Sequence, residues 1–200
     1  LKLMGIPAFR AAAEGEAQAA VMAANGQLDA VATQDWDALL YGAPTVIRNF
    51  ASDGSKRMGR IIRAQEIELE QILEDNQLTR EQLIDLGIMI GTDFHPGIKG
   101  IGPKTGLKLI KEFENIESIC EVKQKDVPEK ISEIREIFLN HPVVEVSDEE
   151  LQQGNVDVEG LRKFLIDDRQ FSQKRFDNAI DQLKDAGLVR DGGQTSLFSF

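Results

Sequence analysis

Five carboxylates in three short strings are the residues of this chain best suited to chemistry. They are Glu14 and Glu16 in AEGEAQAA, Asp35 and Asp37 in ATQDWDALL, and Asp93 in IGTDFHPGIKGIGPKTG. Like charges raise one another's pKa, so four or five carboxylates crowded together stay ionised only around a cation. Hard oxygen donors without histidine or thiolate pairs select Mg²⁺ or Mn²⁺ over zinc. Two such ions about 4 Å apart activate water and stabilise both oxygens of an in-line phosphodiester displacement. Hydrolysis of a nucleic-acid backbone is therefore the reaction this donor set suits. Either acidic pair alone reads rather as helix caps and dipole partners. The three strings together, with the turn that follows the third, read as a metal site.

That turn adds a grip on phosphate. GIKGIGPKTGLKLIKEF has glycines at Gly97, Gly100, Gly102 and Gly106, with Pro103 suited to the first turn of a helix. Glycine permits close backbone approach, and N–H groups at a helix start point towards an anion. Between Lys99 and Lys111 stand four lysines (Lys99, Lys104, Lys108, Lys111) and no acid. The pattern reads as a sequence-independent hold on duplex DNA.

The elements that must position these residues follow from the flanking pattern. Each acidic pair lies between an extended apolar stretch and a helix-like one: GIPAFRAA runs into alanine-rich EGEAQAAVMAAN, and LDAVATQ runs into DWDALLYG. Strand then helix, repeated, is the pattern of an α/β fold with a parallel sheet, whose strand ends share one ligand-binding edge. Asp93 ends the helical pattern LIDLGIMIGT and is expected at the same edge. TVIRNF and RIIRAQEIEL read as strands on either side of the turn-like ASDGSKRMG. Thr79 is a good N-cap for REQLIDLGIMI, and the remainder reads as helical apart from loops at Val127-Pro128 and His141-Pro142.

Four runs, MGIPAFRAAAEGEAQAA, TQDWDALLYGAP, DLGIMIGTDFHPGIKGIGPKTGLKLI and FLIDDRQFSQKRFDNAIDQL, together resemble the C-terminal part of the archaeal flap endonucleases. These are members of the XPG-type structure-specific 5′ nuclease family. The resemblance implies that Glu14, Glu16, Asp35, Asp37 and Asp93 are metal-binding positions for two Mg²⁺ ions, with Mn²⁺ able to substitute. It implies that residues 97–111 form a helix-three-turn-helix on duplex DNA, and that Gly97, Ile98 and Ile101 offer carbonyls to a K⁺ ion. It divides the chain into the second half of a nuclease core (1–93), a mostly helical DNA-binding part (94–190) and a tail (191–200). The implied activity is hydrolysis of DNA at 5′-flap junctions, in lagging-strand maturation and repair, with 5′-flap and nicked duplex DNA as partners.

Family members carry two more metal-site aspartates, a helical arch and a Met-Gly start, all upstream of the first matching run. The expectation is thus of an N-terminally incomplete chain. Two alternatives stay open: a sister 5′–3′ exonuclease, and a non-catalytic module that binds DNA and a clamp. At the other end GGQTSLFSF resembles a motif that binds the sliding clamp (PCNA), with Gln194, Leu197 and Phe200 at its spacing and Asp191-Gly192-Gly193 as tether.

With 200 residues, 42% of them hydrophobic, the chain can bury a substantial core in one or two domains. Its single cysteine, Cys120, excludes an internal disulfide framework and suits a reducing compartment. No apolar run approaches the ~18 residues of a membrane span, and no signal peptide is visible, so an intracellular, cytoplasmic location is expected. A net charge of −11 opposes nucleic-acid binding in general, but much of it lies in EIELEQILED and SDEELQQGNVDVEG, away from the lysine turn. Trp36 reads as a packing residue pointing away from the aspartates on an extended backbone. His95 reads as a turn histidine, and Lys56, Arg57, Arg60, Lys174 and Arg175 as solvated charges with backbone contact to DNA as the alternative.

Overall fold

The alanine-rich run after the first acidic string forms helix α1 (Gly15–Ala24), and the chain then builds a small sheet threaded with short helices. In order these are β1 (Val31–Ala32), α2 (Asp37–Leu40), β2 (Thr45–Arg48), the hairpin of β3 (Lys56–Arg57) and β4 (Arg60–Ile61), and β5 (Gln65–Glu68). Helices follow: α3 (Leu69–Asn76), α4 (Arg80–Ile90), α5 (Pro103–Phe113), α6 (Ile116–Lys123) and α7 (Ile131–Leu139). The computed structural model describes residues 1–57 and 59–189. By contact these form two units, residues 11–144, and residues 1–10 together with those from 145 onward.

The fold is mixed α/β and about half helical, and its main sheet has the order β1–β2–β5. Strand β1 runs parallel to β2, with Val31 opposite Val46, because α2 serves as the crossover between them. Strand β5 runs antiparallel to β2, with Val46 opposite Ile67. The expected parallel sheet is therefore mixed. Between β2 and β5 lie a 3₁₀ turn (Phe50–Ser52) and the hairpin, and a connection without a crossover helix returns antiparallel. RIIRAQEIEL is likewise two strands rather than one. The Asp53 carboxylate accepts the Ala64 N–H (2.8 Å) and Asn49 donates to the Arg63 carbonyl (3.3 Å), which turns the chain between β4 and β5. GIPAFRAA forms no strand, since Pro7 has no N–H to give a ladder.

Helix α4 is the hub of the 11–144 unit. Thr79 and Gln82 form a reciprocal capping box at its start, as the sequence suggested, and Ile84, Ile88 and Met89 are fully buried along it. Asp85, only 3% exposed, accepts Arg135 of α7 through Nε (2.6 Å) and Nη2 (2.7 Å) and the Ile116 N–H of α6 (3.1 Å). Arg80 donates to the Leu40 carbonyl at the end of α2 (3.2 Å) and to the Phe138 carbonyl near the end of α7 (2.9 Å). A cation at two helix C-termini complements both dipoles. The loops at Val127-Pro128 and His141-Pro142 lie where expected.

The other unit opens with a 3₁₀ turn (Lys2–Met4) and holds α8 (Val158–Arg162), a π-helical turn (Lys163–Asp168) and α9 (Gln173–Asp185). Leu161, Phe176 and Ile180 form its core, with Leu3 and Met4 packed against them. The Asp157 N–H donates to the Leu3 carbonyl (2.9 Å) and the Gly154 N–H to the Gly5 carbonyl (2.8 Å). Among the described residues no helix is long and apolar enough to cross a membrane.

Candidate metal centre

Local structure delivers the five carboxylates from helix starts and helix ends. Glu14 is the extended N-cap of α1 and Glu16 lies in that helix's first turn. Asp35 precedes α2 and Asp37 opens it. Asp93 follows α4, in the turn that Thr92 and His95 close by pairing (Thr92 N–H to His95 carbonyl, 2.8 Å).

Thr33, just past β1, joins the first two strings. Its hydroxyl donates to Glu16 Oε1 (3.4 Å) and accepts the Asp35 N–H (3.1 Å), and Asp35 Oδ1 in turn accepts the Asp37 N–H (3.0 Å). Arg48 stays beside this segment, donating to the Gln34 carbonyl (3.1 Å) and stacking 4.1 Å from the centre of the Trp36 ring. Trp36 is in helical rather than extended conformation and 50% exposed. It therefore packs on a guanidinium at the surface, from a helical backbone where an extended one was expected.

Electrostatics shows that all three strings share one field. Burial, with the Asp35, Asp93 and Glu16 carboxylates, pushes the Asp37 carboxyl from 3.8 up to about 6. Tyr41, buried beneath the site, has its hydroxyl pushed up by burial and then by Glu14, Asp37, Asp35 and Glu16. The ring packs against Phe138 (5.0 Å) and edge-on to His141 (5.2 Å). Among the described residues no three His, Cys, Asp or Glu side chains are arranged to hold an ion as they stand. The donor chemistry nonetheless fits a hard divalent cation: all five are carboxylates, and the repulsion from Asp35, Asp93 and Glu16 that adds to burial in raising Asp37 is what a cation would relieve.

The glycine-lysine turn connects α4 to α5. Gly97 has φ +88°, and a Cβ there would lie 2.5 Å from the Ile90 carbonyl oxygen, so only glycine fits. His95 holds the turn from within, its Nδ1 accepting the Gly97 N–H at 3.1 Å. Pro103 takes the first position of α5, and Gly106 lets that helix approach Leu86 of α4. Lys99, Lys104, Lys108 and Lys111 are all exposed, and the Lys99 carbonyl accepts Lys125 Nζ (2.7 Å). Gln194, Leu197 and Phe200 lie outside the described residues.

Sequence reasoning did not find Thr33, Tyr41, Arg48 or His141 at this site. Their roles come from what lies across from them in the fold; the ATQDWD string held Thr33 in view.

Residues 5–93 match the XPG I-region family. The chain is 42% identical to flap endonuclease 1 of Pyrococcus furiosus over 206 aligned positions, covering 100% of this chain and 58% of the relative. It is 43% identical to that of Methanosarcina barkeri, covering 98% of this chain and 58% of the relative. The chain thus spans about 58% of the length of the curated relatives it matches. Among solved structures, flap endonuclease-1 from Methanococcus jannaschii superposes with a TM-score of 0.77 at 40% identity, over 92% of this chain and 55% of that one. The catalytic core of Rad2 in complex with DNA substrate shares the fold, with a TM-score of 0.77 at 22% identity, over 92% of this chain and 66% of that one. Over residues 5–93 the chain is thus similar to the XPG I-region proteins, and over its length to the C-terminal part of the archaeal flap endonucleases.

Proposed function

We propose that this chain supplies the second half of the nuclease site and the duplex-holding element of a flap endonuclease, hydrolysing DNA phosphodiesters at 5′-flap junctions. Nucleases of this family are metal-dependent. The observation that carries the reading is the shared field: Asp37 feels Asp35, Asp93 and Glu16 at once, although they come from separate strings. Divalent cations, Mg²⁺ or Mn²⁺, supply the charge that acidifies a water and offsets charge developing on the phosphate. Glu14, Glu16, Asp35, Asp37 and Asp93 would hold them. Thr33 fixes the spacing of Glu16 and Asp35, and buried Tyr41 keeps water from the underside of the site.

The turn from Gly97 to Lys111 is proposed as the helix-three-turn-helix. Gly97, Gly100 and Gly102 allow backbone approach to phosphates, and Lys99, Lys104, Lys108 and Lys111 neutralise them. The carbonyls of Gly97, Ile98 and Ile101 are candidates for K⁺. Gln194, Leu197 and Phe200 are proposed, from their spacing, to bind a sliding clamp during replication and repair. The partners are then 5′-flap and nicked duplex DNA and the clamp.

The test is cleavage of an end-labelled 5′-flap duplex in Mg²⁺, beside Asp35→Ala and Asp37→Ala variants. Cleavage that both substitutions abolish would show that the five carboxylates make a working site without the other half. Duplex binding without cleavage would leave a binding half of a nuclease, and neither binding nor cleavage would refute the reading.

A further inference from the structure

His141 lies outside the five carboxylates, yet it holds the backbone of the first of them. It follows α7, and its Nδ1 is 3.2 Å from the carbonyl of Ile137, one turn back in that helix. Its Nε2 is 3.3 Å from the backbone nitrogen of Glu14. A carbonyl can only accept and an amide N–H only donate, so one form of the ring satisfies both contacts: neutral, with the proton on Nδ1 and the lone pair on Nε2. The other neutral tautomer satisfies neither.

Further contacts keep the ring there. Tyr41 meets it edge-on at 5.2 Å. Three residues later the Val144 N–H donates to Gln18 Oε1 (2.7 Å), and Gln18 Nε2 donates back to the Val144 carbonyl (3.0 Å). The segment 141–144 is thereby fastened to α1 at Glu14 and again at Gln18, one helical turn apart. Glu14 and Glu16 project from the end of α1 that this segment holds.

We propose that His141 is a positioning residue for the metal centre, setting through the Glu14 N–H the direction in which Glu14 and Glu16 present their carboxylates. The role rests on the reading of those two acids as metal ligands. Groups that orient ligands from behind typically alter metal affinity by about 10- to 100-fold when removed. A backbone contact belongs at the low end of that range.

The test uses this chain labelled with ¹⁵N. Long-range nitrogen–proton NMR reads the His141 tautomer, the Glu14 and Glu16 amide shifts read the backbone, and titration calorimetry reads Mn²⁺ affinity. His141→Phe keeps a ring against Tyr41 but removes the acceptor, and His141→Gln restores an acceptor near the Nε2 position. The expected results are an Nδ1-protonated ring, displaced amide signals and Mn²⁺ binding weakened about tenfold in His141→Phe, and affinity near that of the unsubstituted chain in His141→Gln. An Nε2-protonated ring, or a folded His141→Phe with unchanged Mn²⁺ affinity, would overturn the proposal. If His141→Phe fails to fold, loss of affinity in a folded His141→Gln equally overturns it. Failure of the unsubstituted chain to bind Mn²⁺ at all, with the Glu14 contact intact by NMR, would instead refute the metal-centre reading and the role built on it.

Discussion

At the scale of single residues, Asp37 is where the fold departs furthest from an ordinary carboxylate. Its carboxyl titrates at 3.8 by itself and at about 6 in the fold, because it is partly buried and faces Asp35, Asp93 and Glu16. The folded chain therefore binds that proton more tightly than the unfolded chain does. Raising pH from about 4 to about 6 lowers stability, and above that window the loss is complete. Asp37→Asn should stabilise the metal-free chain at pH 7 by on the order of 1 kcal/mol, a figure reduced for solvent screening at a half-exposed site. The gain should shrink as pH falls to 4, as thermal melts at several pH values would read. Added Mg²⁺ should raise the melting temperature of the unsubstituted chain more than that of the variant. An offset independent of pH would mean that the acids do not share a field.

At the scale of elements, the turn between α4 and α5 is held by geometry that glycine alone permits at Gly97. A side chain there faces both a φ of +88° and the Ile90 carbonyl oxygen at 2.5 Å, whereas Gly100, at φ +85°, has open space. Gly97→Ala should cost about 1–3 kcal/mol in urea unfolding, and Gly100→Ala about 1 kcal/mol. Equal costs would show that conformation alone, and not the packing against α4, makes glycine necessary. The same helix carries the Asp85–Arg135 pair, which ties α4 to α7 and α6 to both. Asp93 and the lysine turn therefore both follow the end of α4, Asp93 lying among the residues that begin the turn.

For the whole molecule, charge decides how it can meet DNA. A net charge of −11 repels a duplex at long range, and on the proposed function the hold comes from the exposed lysines between Lys99 and Lys111. Replacing Lys99, Lys104, Lys108 and Lys111 by glutamine should flatten the dependence of log K on log salt by about 0.9 for each phosphate no longer neutralised. Fluorescence anisotropy of a labelled duplex against salt concentration measures this. A Lys174→Gln, Arg175→Gln variant on α9 should leave the slope unchanged, and an equal flattening there would place the DNA-binding face elsewhere. Much of this organisation was legible along the chain. The acidic pairs, the α4 cap at Thr79 and the glycine-proline turn are local patterns, set by propensity, capping and allowed φ within a few residues. The mixed sheet was not, because strand direction depends on what the intervening chain can cross. Nor were the site's inner supports: Tyr41, Thr33 and Arg48 are ordinary residue types that acquire a role only through what lies across from them. His141 sits 127 positions from the amide it accepts. Residue types and spacing thus singled out the carboxylates as candidates. Linking Glu16 to Asp35 through Thr33, bringing Asp93 into the field of Asp37, and setting His141 against the Glu14 N–H required contacts between distant segments, which hydrophobic burial around α4 creates and no local pattern encodes.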